Sequence, residues 1–113
     1  MLIVTMGLAH DQWRLMQAGS KTVEIHLYDA KRQSLQVGQK INFQDTQTGE
    51  QLLMTIHQLV VFPDFTALFR RYRGTAVGSQ SQDSLAQMVR EMHTIYSPEQ
   101  ERQFGVVAII LTR

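Results

Sequence analysis

The chain has 113 residues, a formal net charge of +1 and no cysteine; 43% of its residues are hydrophobic and 19% charged. That length suits one domain around a single core, so residues 1–113 are read as one unit. Lack of cysteine excludes a disulfide framework, a thiolate metal site and a thiol nucleophile, and near-neutral charge gives no overall field for nucleic acid.

Residues 2–8 are continuously apolar and read as a buried strand. No basic region precedes them and no small-residue cleavage site follows, so no secretory signal is expected. No apolar run approaches the roughly 20 residues of a bilayer span, and a soluble, cytoplasmic protein is expected. Residues 10–18, with Trp13 and Met16 on one side, predict a short helix ended by Gly19. Residues 22–28 then alternate: Val23, Ile25 and Leu27 form one face, and Thr22, Glu24, His26 and Tyr28 the other. Residues 29–37 read as a turn. Residues 40–43 and 52–62 predict a hairpin across a polar loop.

Pro63-Asp64 stops that strand and caps a helix, in which Phe65, Leu68, Phe69 and Tyr72 fall on one stripe. Residues 74–82 are small and polar, the expected mobile loop. A second helix is expected from Asp83, burying Leu85, Met88, Val89, Met92 and Ile95. Ser97-Pro98-Glu99-Gln100 has the form of a capping box and opens a short helix ending near Gly105. Residues 106–111 are apolar on both faces, which predicts a central strand. Strands and helices do not alternate as βαβ units. The class is α+β.

The densest run of reactive side chains is 19–26. Gly19 lets the chain leave the helix, Lys21 sits at the entrance of the strand, and Glu24 and His26 share one face. Lysine beside a carboxylate and an imidazole can anchor a charge, act as a base or act as a nucleophile. Spacing alone favours an ordinary half-exposed strand with its polar face in water. His10, His26, His57 and His93 lack metal-type spacing, so no metal site is expected. Lys31-Arg32 and the group Arg70, Arg71 and Arg73 around Tyr72 are the basic clusters. Arginine beside an aromatic ring suits single-stranded RNA, and equally a solvated helix face. No GxSxG elbow or Gly-rich phosphate loop is present. Most methionines fall on expected core faces, as gap fillers.

Taken in order, these segments resemble the ASCH domain, a small relative of the PUA RNA-binding domains. Gly19, Lys21 and Glu24 match its Gly-x-Lys-x-x-Glu-x-Arg strand, with His26 in the place of the Arg. Residues 37–43 are similar to its Gly-Asp-x-Ile-x-Phe strand, residues 65–72 to its following helix, and Tyr96 through Ile109 to its C-terminal segment. The resemblance implies a PUA-like β-barrel with short flanking helices, no cofactor, and a cleft lined by Lys21 and Glu24. Its expected ligand is RNA or a nucleoside.

Family members include an amidohydrolase that deacetylates N4-acetylcytidine with Lys, Thr and Glu, and a ribonuclease. Glu24 stands where that amidohydrolase has its Thr, and Asp83 is the acidic residue near the place of its Glu. Three functions follow as expectations. In a binding module, Lys21, Thr22, Glu24, His26 and Tyr96 line the site, and Arg70, Arg71 and Arg73, with Lys31 and Arg32, add backbone contacts. In a hydrolase, Lys21 is base or nucleophile, Glu24 its proton partner, and Tyr96 or Thr22 the donor to the oxyanion. The third is a protein adaptor without chemistry.

Overall fold

The computed structural model describes residues 3–113; Leu2, expected to open the first strand, lies outside them. Strand β1 (Val4–Leu8) leads into helix α1 (His10–Gln17) and strand β2 (Val23–Leu27). Helix α2 (Ala30–Gln33), hairpin β3 (Lys40–Asp45) and β4 (Gln51–Phe62), and helix α3 (Phe65–Arg71) follow. A 3-10 turn (Gly74–Val77), helices α4 (Leu85–Met92) and α5 (Pro98–Phe104), and strand β5 (Val106–Thr112) complete the chain. The strands form one curled half-barrel sheet in the order β1-β3-β4-β5-β2. β1 runs parallel to β3 and every other pair is antiparallel. The class is α+β, as expected.

The apolar run of β5 is explained by its place between β4 and β2, covered on both sides. Val107, Ile109 and Leu111 join one core with Trp13, Met16, Ile41 and Phe43. Val106 and Ala108 join the other, with Val23, Ile25, Leu27, Phe65 and Met88. Each buried Val, Leu, Ile, Phe or Met side chain contributes about 1.5–3 kcal/mol of transfer free energy. Gly19, at φ +89°, ends the first helix region as expected. Among the described residues, no helix is long and apolar enough to cross a membrane.

Four local expectations are corrected. Residues 29–37 are not merely a turn: Asp29 caps α2, accepting from the Arg32 amide. The 74–82 segment is not loose. It holds the 3-10 turn, buries Val77, and binds β2 through the Thr22 amide donating to Ala76 O at 2.9 Å. Helix α4 begins after Ser84, whose hydroxyl accepts from the Gln87 amide, rather than at Asp83. Ile95 lies beyond that helix and is 66% exposed, while Met88 carries the buried stripe.

The capping box at Ser97 forms in full, with both reciprocal bonds between Ser97 and Gln100. Ser97→Ala is therefore expected to lower stability by about 1 kcal/mol. An unchanged urea midpoint would contradict this.

Candidate functional site

β1 and β2 are the two edges of the unclosed sheet, and a cavity of about 340 Å³ lies in the seam between them. Gly7 and Leu8 line it from β1, Gln12 from α1, and Glu24, Ile25 and His26 from β2. Val77, Gly78 and Ser79 approach from the 3-10 turn, and Glu91, Met92, Ile95 and Tyr96 from the end of α4. The sheet therefore supplies Glu24 and His26 to the floor, and the helical segments supply the apolar Val77, Met92 and Ile95 beside Gln12, Ser79 and Glu91.

Alternation along β2 turns Val23, Ile25 and Leu27 into a core and leaves Glu24 and His26 on the opposite face. Lys21, just before the strand, reaches the same place. Both charged groups are buried, Lys21 at 5% and Glu24 at 7% exposure. Lys21 Nζ lies 2.9 Å from Glu24 Oε1 and donates to Gln12 Oε1 at 2.7 Å. The Gln12 amide then donates to Gly78 O at 3.1 Å, tying α1 to the 3-10 turn. Gly78 has φ +88°, and a Cβ there would stand 2.0 Å from Gln12 Oε1. Only glycine fits without displacing that link.

Burial alone would raise the pKa of Glu24. The His26 ring beside it and the Lys21 ammonium outweigh burial and hold the carboxyl at about 2. Glu24 is thus a permanent anion at neutral pH. His26 Nε2 lies 3.1 Å from Glu24 Oε2, an ion-pair distance, but is off-line and makes no hydrogen bond. We read this contact as electrostatic.

On its other side, His26 Nδ1 is 3.1 Å from the Tyr96 hydroxyl and 3.2 Å from Arg32 Nη2. A guanidinium can only donate, so Nδ1 accepts and the neutral ring carries its proton on Nε2. The Tyr96 hydroxyl then donates inward to His26. It faces a ligand as an acceptor, which disfavours the role of oxyanion donor. Burial raises the Tyr96 pKa, with the Glu24 and Asp29 charges adding and Arg32 opposing.

The structure thus joins Lys21, Glu24, His26 and Tyr96 and leaves other candidates outside. Thr22 is bound through its backbone to Ala76 and Leu111 and does not line the cavity. Arg70 and Arg71 are exposed on α3, with the Arg71 guanidinium 4.7 Å from the Tyr72 ring centre. Arg73 and Asp83 line a separate polar hollow beyond the 3-10 turn. Lys31 is exposed, while Arg32 is held between His26 and Asp29. A cation therefore does stand beside position 26, delivered by α2 rather than by the strand. Gln12 and Gly78 were not legible as site residues, because their roles depend on contacts across 66 positions of chain.

The other histidines have structural partners or lie in solvent. His10 Nδ1 bonds buried Asp45 at 2.6 Å, and His93 bonds Glu101, whose second oxygen accepts from the Phe65 amide. His57 is exposed on β4. Among the described residues, no group of three or more His, Asp or Glu could hold a metal.

No protein-family model and no curated protein matches the chain. The solution NMR structure of protein PF0455 from Pyrococcus furiosus is similar, with TM-score 0.78, 25% identity, and coverage of 97% of this chain and 96% of that one. The crystal structure of hypothetical protein PH0355 gives TM-score 0.86 and 28% identity, over 97% of both chains. The curled half-barrel is thus an architecture this chain shares, along nearly its whole length, with both of these proteins.

Proposed function

We propose that this chain is an ASCH-type, PUA-like module that binds a nucleoside, free or as an unpaired residue of RNA, in the seam cavity. The observation that carries this reading is the cavity itself. Its volume of about 340 Å³ falls within the range of small-molecule sites, roughly 300–1,000 Å³. Lys21, Glu24, His26 and Tyr96 are linked side by side in its lining, while Val77, Met92 and Ile95 offer apolar surface to a flat ring. Glu24, held as an anion, accepts hydrogen bonds from a base amino group. Lys21 donates to a carbonyl, and Tyr96 accepts.

Hydrolysis of a modified nucleoside is the second reading, favoured by the burial of Lys21 beside the cavity. The same ion pair works against it. Glu24 at 2.9 Å already occupies the Lys21 ammonium in an ion pair, and a carboxyl near 2 is a poor proton carrier at neutral pH.

The test is titration of ribonucleosides, N4-acetylcytidine and short RNAs, reading both affinity and turnover. Lys21→Ala is expected to weaken binding about 10- to 100-fold, the scale of a hydrogen bond to a charged group, with Lys21→Arg retaining part. Turnover lost in both variants would favour the hydrolase. Absence of any binding by the natural protein would remove the reading.

A further inference from the structure

We propose that the cavity selects a free nucleoside over its phosphorylated forms, and that Glu91 at the rim is the residue that sets this preference. The inference rests on the nucleoside reading and deepens it. Among the described lining residues, Lys21 is the sole Lys or Arg, and Glu24 and Glu91 are the carboxylates. The Lys21 ammonium is already matched by Glu24 Oε1 and Gln12 Oε1. Glu91 therefore leaves the site with an unbalanced negative charge.

Its position adds to the effect. Glu91 is exposed and belongs to the last turn of α4, whose C-terminal end meets the cavity at Met92. A helix C-terminus carries partial negative charge, so dipole and side chain act in the same sense. The cations that would grip a phosphate are engaged or elsewhere. Arg32, which approaches the polar end behind His26, is paired with Asp29, Arg71 lies over Tyr72, and Arg73 lines the separate hollow. A dianionic phosphate carried into this cavity meets repulsion with no donor fork to offset it.

The experiment titrates the full chain with uridine, cytidine, adenosine and guanosine, each against its 5′-monophosphate, at low and high salt. At low salt, the nucleoside that binds best should bind about tenfold more tightly than its monophosphate, the size of one partly screened charge repulsion. Added salt should narrow that ratio. Glu91→Gln keeps the shape of an exposed side chain and should narrow it about threefold at low salt, by tightening the monophosphate more than the nucleoside. A short RNA, phosphorylated on both sides of each residue, should bind more weakly than the nucleoside. A monophosphate or RNA that binds as tightly as the nucleoside, or a ratio unchanged in Glu91→Gln, overturns this inference and leaves nucleoside binding intact. Failure of every nucleoside and of the RNA to bind overturns both.

Discussion

Glu24→Gln is expected to lower folding stability by about 3–5 kcal/mol, the cost of leaving a buried charge without its partner. The substitution keeps the shape of the side chain, removes the charge and turns one acceptor oxygen into an NH2 donor. Lys21 Nζ would then keep Gln12 Oε1 as its neutral acceptor, in a place where it is 5% exposed. Solvent cannot make up the difference. A second variant, Lys21→Met with Glu24→Gln, removes both charges and should recover much of the loss, since a buried pair often equals an apolar replacement in stability. Urea denaturation measures each step. A loss below about 1 kcal/mol in the single variant, the scale of surface pairs, would show that the pair is effectively solvated. The same reasoning bears on function. A buried pair that apolar residues could replace is poor value as a fastener, and its place on a cavity wall marks a candidate site.

The parts of this site that were legible in the sequence are those set by local periodicity. Alternation over residues 22–28 put Glu24 and His26 on one face, and Lys21 at the strand entrance follows from Gly19. The central place of β5 and the Ser97 cap were legible for the same reason, since each depends on neighbours in sequence. What escaped depends on closure of the chain. The 74–82 segment has turn composition, yet Val77 is buried and Gly78 stands beside Gln12. Ile95 continues the period of the α4 stripe, but the helix stops at Met92 and the residue turns outward to the cavity rim. Sequence likewise grouped the arginines around Tyr72 as a candidate nucleic-acid surface. Helix α3 and the 3-10 turn carry them away from the seam, and Arg32 alone approaches its polar end.

Between pH 4.5 and about 2, the protein is expected to lose about 3 kcal/mol of stability through Glu24 alone. The sign follows from the direction of the shift. Glu24 has an ordinary value of 4.5 when unfolded and about 2 when folded, so the unfolded chain takes up its proton first. Its contribution is complete above 4.5 and drains away as pH falls toward 2, at up to about 1.4 kcal/mol per pH unit. Asp45 titrates in the same region: burial raises its pKa, but His10 and the Gln47 and Thr48 amides hold it at about 2. The two carboxyls can be separated by mutation. In the paired variant Lys21→Met with Glu24→Gln, the Glu24 share vanishes while the His10–Asp45 contact is untouched. Urea midpoints followed from neutral pH into acid should therefore fall less steeply in that variant than in the natural protein. Parallel curves would mean that Glu24 is not held as an anion by Lys21 and His26. The charged floor assigned to the cavity would then be wrong.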